Sequence, residues 1–123
     1  MLIFMSNDRG SIKVFRMVSR RVLCSSLGFS SGKAILFFLK EALGRDPFEV
    51  LWENPKAFYD EIVKVFGDGA KILISILVEN INLECGLSMS PEHFIEIIQS
   101  ENQSSLEEIR SFIRMVAESG RRT

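Results

Sequence analysis

Three prolines in this sequence each follow a side chain that caps helices, and this pairing constrains the fold more than any other feature. The pairs are Asp46-Pro47, Asn54-Pro55 and Ser90-Pro91. Proline in the first turn of a helix loses no hydrogen bond, and the side chain before it accepts one from a free backbone amide. Each pair therefore predicts the start of a helix. Two acids extend the pattern, since Glu49 completes a capping box with Asp46 and Glu107 with Ser104.

Glycines predict where the helices end. Five glycines lie after periodic apolar residues, where a helix end favours a left-handed backbone, and Gly69 shares a turn with one of them, Gly67. The turn residues are Gly28, Gly44, Gly67, Gly69, Gly86 and Gly120. The predicted helices span residues 11–27 or 16–27, 31–43, 55–66, 69–85, 91–100 and 105–118, with a short helical turn over 47–52.

These elements predict an all-α fold, a compact bundle of about six helices. The length of 123 residues fits a single domain over 1–123. The beginning has a second interpretation, because MLIFM, SNDRG and SIKVF also have the pattern of two short strands around a turn. For residues 1–10 the sequence therefore leaves a β-hairpin or a mobile segment open, and residues 119–123 are expected to form a flexible tail.

Two segments are apolar on nearly every side. Residues 34–43 read AILFFLKEAL, and residues 70–81 read AKILISILVENI. The second segment has one narrow polar stripe, made of Lys71, Ser75, Glu79 and Asn82. Helices of this kind occupy the centre of a bundle. Because the other helices are too short to cover both, and 46% of the residues are apolar, a homodimer is expected.

Charge is distributed unevenly along the chain, although the net charge is only −1. Residues 1–45 contain eight Lys and Arg against two acids, and residues 46–109 contain three Lys against thirteen acids. Residues 110–123 are basic again, with four Arg and one Glu. Either the basic ends bind an anionic partner, or they pack on the acidic middle. A net charge near zero favours packing on the acidic middle.

Residues 28–34, GFSSGKA, have the outline of a phosphate-binding loop but not its chemistry. Such a loop needs four residues between its glycines and a hydroxyl after the lysine. Here three residues separate Gly28 from Gly32, and Ala34 follows Lys33. The magnesium ion would lose its hydroxyl ligand. The segment is therefore interpreted as a junction between two helices, with Ser30 or Ser31 as the cap of the second helix.

Catalytic and metal-binding patterns are weak. His93 and Glu96 have the spacing of two metal ligands, but no further His or Cys follows at ligand spacing. A nucleophile would require Cys24 or Cys85 to meet His93 in the fold. We therefore expect no enzyme activity, no metal and no cofactor.

The sequence predicts a cytoplasmic chain outside the membrane. Its longest apolar runs, residues 34–39 and 72–78, are far shorter than the roughly 18 residues that a spanning helix needs. The opening MLIFM is too short for the core of a signal peptide. Cys24 and Cys85 are expected to be free, buried thiols in a reducing compartment.

One face of the first helix is basic. Lys13, Arg16 and Arg20 share it, and Arg21 is adjacent. These residues are candidate contacts for the phosphates of nucleic acid. No helix with the pattern of a base-reading helix follows, so nucleic-acid binding is not favoured.

The order of turns and helices resembles a known family. The chain has Leu27-Gly28, then NPKAFYDEIVKVFGDGAK opening an apolar helix, then CGLSMSPEHFIEII. Over residues 20–98 this pattern resembles an archaeal family of small helical domains, described from ammonia-oxidising archaea as an output domain. The resemblance implies a non-catalytic regulatory or interaction module associated with signal-receiver modules. The chain differs from such combinations because residues 1–123 contain no receiver module.

Three functions therefore stay open. The first is an all-α interaction or regulatory module, dimeric, with a signalling or transcription protein as partner and with Gly67, Gly69, Lys71 and Glu79 serving turns and dimer contacts. The second is a DNA-linked regulator that uses the basic first helix. The third is a small-molecule sensor with its ligand between residues 34–43 and 70–81.

Overall fold

The computed structural model describes the backbone of residues 2–122 and the side chains of residues 8–120. Over this range the chain is helical apart from short turns, so the all-α prediction is confirmed. The described residues form seven helices, one more than the predicted six because the turn at Pro47 is itself a helix. They are α1 (Leu2–Leu27), α2 (Phe29–Leu43), α3 (Pro47–Glu53), α4 (Pro55–Phe66), α5 (Gly69–Cys85), α6 (Pro91–Gln99) and α7 (Gln103–Arg122).

The three proline-associated starts are confirmed in atomic detail. Asp46 accepts a hydrogen bond from the amide of Glu49 at 3.1 Å, and Asn54 accepts one from Ala57 at 3.3 Å. Ser90 accepts one from His93 at 3.2 Å. These caps depend on residues three positions apart, which is why the local sequence predicts them.

The predicted cap of the last helix is wrong, and Asp68 makes no capping hydrogen bond before α5. At the start of α7 the cap is Asn102, whose side chain accepts from the amide of Ser105 at 2.8 Å, so the predicted box of Ser104 and Glu107 is displaced. The same local chemistry is available at several neighbouring residues, and the packing of the helix selects one of them.

The first helix begins earlier than predicted. α1 starts at Leu2, so a hairpin over residues 1–10 is wrong from Leu2 onward, and Met1 lies outside the described residues. α1 extends along α7, where Ile12, Phe15 and Val18 are buried. A continuous helix satisfies the backbone hydrogen bonds that a lone hairpin would leave at its edges.

The last helix ends later than predicted. α7 continues to Arg122, so residues 119–122 form its last turn, and Thr123 lies outside the described residues. Gly120 is therefore not a turn residue but an interior residue of α7. A Cβ atom at this position would lie 2.8 Å from Cγ1 of Val14. The glycine thus allows α7 to approach α1 closely.

A single residue separates α1 from α2. Gly28 has a φ of +97°, which an L-amino acid with a side chain rarely adopts. α2 begins at Phe29, and the predicted caps Ser30 and Ser31 lie inside it without capping. The other predicted turn glycines lie where expected: Gly44, Gly67 and Gly86 follow α2, α4 and α5, and Gly69 is the first residue of α5.

The centre of the core is formed by α7. One face of this helix is at most 1% exposed, comprising Ile109, Phe112, Ile113, Val116 and Ala117. It packs on α1, whose Phe15 and Val18 are 1% and 2% exposed, and on α6 through the contact of Phe112 with Phe94. An amphipathic sequence, with one apolar and one polar face, thus identifies the central helix better than overall apolarity does.

The expectation that residues 34–43 occupy the centre is wrong. Within that segment only Leu39 is buried. α2 lies at the periphery against α1, α3 and α4, and its outer side is uncovered. α5, the other apolar helix, buries Ile74, Val78 and Ile81 but leaves Ile72 exposed. Within residues 2–122 no helix combines the length and apolarity that crossing a membrane requires.

Candidate functional site

α2 carries three exposed phenylalanines. The exposed fractions are 69% for Phe29, 58% for Phe37 and 54% for Phe38. The rings of Phe37 and Phe38 contact each other edge to face, with centroids 5.9 Å apart. A small soluble domain can leave single apolar side chains exposed, but three on one helix form a patch.

The patch has two edges, which follow from the helical repeat. Residues four apart lie on one side of a helix, so Ala34, Phe38 and Ala42 form a line of exposed residues, here called the outer stripe. Phe29, Lys33, Phe37 and Lys40 lie along the other edge. Three of them, Lys33, Phe37 and Lys40, form one wall of a groove against α1 and α3.

The groove has a volume of about 320 Å³ and is enclosed by α1, α2 and the start of α3. It combines four cationic side chains with an apolar floor. Its lining residues, here called the basic groove, are Arg16, Arg20, Lys33, Leu36, Phe37, Lys40, Asp46, Pro47 and Phe48. Cations on both walls and apolar side chains between them fit a ligand that is both acidic and apolar.

Within residues 8–120, one cation of the basic groove is paired with a carboxylate. Arg16 Nε lies 3.3 Å from Asp46 Oδ1, although the atom has no hydrogen bond of good geometry. Lys33 Nζ lies 4.8 Å from the centre of the Phe29 ring, a distance at which a cation is attracted to the ring face. Among the described residues Arg20 and Lys40 have no ion-pair partner. Three cations are therefore available to an anionic ligand.

The four basic residues predicted on the first helix do not form one free surface. Arg16 and Arg20 lie in the basic groove, and Lys13 lines a neighbouring depression with two acids of α3. Arg21 points elsewhere, with its Nε 2.6 Å from Glu84 Oε1 on α5. The structure thus brings Arg16 and Arg20 together with α2 and separates Arg21 from them.

Basic residues from the first third of the chain pack on acids from the middle. Besides Arg21 with Glu84, Arg45 contacts Glu53 at 3.0 Å and Glu49 at 3.3 Å. The hydrogen bonds that Arg45 donates to Glu53 and Glu49 hold the pKa of Arg45 above its ordinary value, and the bond to Glu53 lowers the pKa of that carboxyl. The packing alternative favoured by the charge distribution is therefore realised at these pairs.

The space between α2 and α5 is small. A cavity of about 20 Å³ lies there, lined only by apolar side chains that include Leu36, Leu39 and Leu77. It has room for about one water molecule. A small-molecule ligand of ordinary size needs several hundred Å³, so a sensor of the predicted kind would require α2 and α5 to separate.

His93 joins two helices. Its Nε2 contacts Glu108 of α7, and its Nδ1 lies 3.8 Å from Glu96 Oε1. Within residues 8–120 no group of three His, Cys, Asp or Glu side chains is arranged to hold a metal ion. Both cysteines are free and half-buried, and Cys24 Sγ contacts the carbonyl of Phe29 at 3.8 Å.

Cys85 provides a solution test of the packing between α5 and α7. Burial raises the pKa of its thiol, outweighing the opposing effect of a hydrogen bond with Ser119. In a Cys24→Ser variant, alkylation of Cys85 by iodoacetamide is expected to reach half its maximal rate at a higher pH than alkylation of N-acetylcysteine, because the thiolate is the reactive form. A half-maximal pH equal to or below that of the free thiol would contradict the burial.

Three α2 residues of the basic groove were missed in the sequence. Lys33, Phe37 and Lys40 recur at spacings of four and three, which places them on one side of a helix. This signal is present in the sequence, but Lys33 also fits a junction and Phe37 also fits a core. Asp46, Pro47 and Phe48 enter the groove only through tertiary packing.

Comparisons of the chain with family models, with curated proteins and with solved structures returned no match.

Proposed function

We propose that this chain is a non-catalytic helical interaction module that docks other macromolecules through the open side of α2. The observation that carries the proposal is the exposure of Phe29, Phe37 and Phe38 on one helix. Exposed aromatic side chains in a contiguous patch are typical of interaction surfaces. The helix is otherwise well anchored by Leu39 and by Gly32, which are buried against its neighbours.

A rigid frame supports this surface. α2 is held by a one-residue junction to α1 and by packing on α3 and α4. Phe48 on α3 stacks edge to face on Phe15 of the core, with ring centroids 5.7 Å apart. A surface built on packed helices needs little reorganisation when a partner binds, which favours affinity.

The same proposal includes self-association. The outer stripe of Ala34, Phe38 and Ala42 presents one large ring between two small residues, a shape in which two α2 helices can approach closely. Because the two-fold arrangement is the commonest for soluble oligomers, the expected assembly is a symmetric dimer. In a single chain α2 exposes apolar side chains to water. Burying them against a second copy is the driving force of the proposed dimer.

Sedimentation velocity over a micromolar concentration range tests the dimer. The wild-type chain is expected to sediment as a dimer, and Phe38→Ser is expected to raise its dissociation constant about 10- to 30-fold, since a central aromatic residue is a typical hot spot. Ile72→Ser on α5 is the matched control, because Ile72 is 65% exposed but lies outside the outer stripe. A wild-type monomer at these concentrations, or equal effects of the two variants, would contradict the assembly.

A regulatory role is part of the proposal and derives from the resemblance to the archaeal output domain. Its partner would then be a signalling or transcription protein in the cytoplasm. Duplex DNA is a weaker candidate, because Arg16 and Arg21 already face carboxylates at 3.3 Å and 2.6 Å. Within the predicted basic set this leaves Lys13 and Arg20 for phosphate contacts.

A further inference from the structure

We infer that the basic groove binds an acidic amphipathic helix of another protein. The inference rests on the proposed interaction function and names the chemistry of the partner. It concerns the edge of α2 that carries Lys33 and Lys40, not the outer stripe that is proposed for self-association. Its basis is a juxtaposition of unpaired cations, an apolar floor and the exposed ring of Phe37 in one groove.

The positive charge of the groove favours an acidic partner. Two basic side chains near the groove have acidic partners, since Arg21 has Glu84 and Arg45 has Glu53. In the groove Arg20, Lys33 and Lys40 have none among the described residues. Three unpaired cations within one groove repel one another, and a ligand with several carboxylates would relieve this repulsion.

The apolar part of the groove favours a partner with an apolar face. Leu36, Pro47 and Phe48 line its floor. Phe37 lines the groove and Phe29 lies beyond it on the same side of α2, and both residues are more than half exposed. A small anion would leave these rings in water, whereas a helix with an apolar face would cover them. Recognition of a helix in a groove uses apolar anchors of this kind.

The spacing of the cations favours a helical partner. Lys33 and Lys40 are two helical turns apart, about 10 Å along the axis of α2, and Arg16 and Arg20 are one turn apart, about 6 Å along α1. A partner helix between these walls can present acids at the same intervals on its two flanks. Its apolar stripe then faces Leu36 and Phe37. The partner is thus expected to have Glu or Asp at i, i+4 and i+7 beside a run of apolar residues.

The acids around the groove favour a protein partner over nucleic acid. Asp46 lies inside the groove, and Glu41 of α2 is exposed next to Lys40. The chain as a whole has a net charge of −1. A polyanion would meet these carboxylates along its length, whereas a helix with a few acids at fixed positions avoids them.

Fluorescence anisotropy with a defined peptide tests the inference. The probe is a fluorescein-labelled helix of repeated Leu-Glu-Glu-Leu, about 16 residues long because shorter isolated helices are marginal in water. Two control peptides replace every Glu with Lys or every Leu with Ala. The full-length wild-type chain is expected to bind the acidic amphipathic peptide at least about 10-fold more tightly than either control.

Charge-reversal variants locate the binding. Lys33→Glu combined with Lys40→Glu is expected to weaken the peptide affinity by about 10-fold or more. The matched control combines Lys13→Glu with Lys71→Glu, which changes the net charge equally at exposed lysines outside the groove. It should weaken binding at most about 2-fold, through long-range charge alone. Circular dichroism and thermal melting verify that both variants fold.

Several outcomes would overturn the inference. They are equal weakening by the two double variants, equal binding of the acidic and basic peptides, and tighter binding of a random-sequence DNA duplex than of the acidic peptide. If the peptide fails to bind while the wild type dimerises through Phe38, the inference is wrong and the interaction function stands. If Phe38→Ser has no effect but the groove variant loses the peptide, self-association is wrong and the groove stands.

Discussion

Replacing Phe112 with alanine is expected to lower the free energy of unfolding by about 3–5 kcal/mol, the usual cost of removing a buried phenylalanine. The ring is 1% exposed and contacts Phe94 and Phe15, with centroids 5.6 Å and 6.3 Å away. These contacts join α7 to α6 and α1. The cavity left by the ring lies where three helices meet, so little of it can close by local rearrangement.

Equilibrium unfolding in guanidinium chloride, followed by circular dichroism, measures this cost. The matched control is Met115→Ala on the same helix, because the Met115 side chain is 48% exposed. It is expected to change stability by less than about 1 kcal/mol. A loss below about 1 kcal/mol for Phe112→Ala, or equal losses for the two variants, would contradict the central position of α7. If Phe112→Ala does not fold at all, Val116→Ala at the same buried face offers a smaller cavity.

Features that depend on neighbouring residues were predictable from the sequence. The caps Asp46, Asn54 and Ser90 act over three residues, so their chemistry is visible in any short window. The apolar and polar faces of α7 were also predictable, because they follow from the spacing of apolar residues within the helix. The all-α class was predictable because these signals agree with one another along the chain.

The position of α2 was not predictable in the same way. Its sequence is apolar on most sides, and the sequence therefore predicts a central helix. The length of α1 and α7, together with the close approach at Gly120, gives the centre to those two helices instead. An apolar sequence indicates how much of a helix surface must be shielded from water. It does not indicate whether the same chain or another chain shields that surface.

The basic groove shows the same division between local and long-range information. Arg16 and Arg20 were predictable from their shared helical face. The pairing of Arg16 with Asp46, and the placement of both arginines opposite Lys33, depend on contacts between elements far apart in sequence, which periodicity does not encode. Half of the groove was therefore visible in α1, whereas the sequence of the half on α2 is typical of a core helix.

Gly32 is the residue that sets the distance between the two walls of this groove. A Cβ atom at Gly32 would lie 2.8 Å from Cα and 2.9 Å from N of Cys24. Contacts this short involve the backbone of α1, which a change of rotamer cannot relieve. The backbone hydrogen bonds from Gly28 to Cys24 and from Gly32 to Gly28, at 3.0 Å and 2.9 Å, fix the junction on both sides. Any side chain at position 32 must therefore move α2 away from α1.

Gly32→Ala is accordingly expected to lower the free energy of unfolding by about 1–3 kcal/mol, although alanine gains about 1 kcal/mol over glycine in a helix. Gly69→Ala is the matched control, because the nearest atom to its Cβ would be 3.9 Å away and its φ is not positive. This control should be neutral or slightly stabilising. Because Arg16 and Arg20 lie on one wall and Lys33 and Lys40 on the other, the Gly32 variant should also weaken the acidic peptide while Gly69→Ala should not. Equal stability of the two alanine variants would show that α1 and α2 are not in close contact at this point.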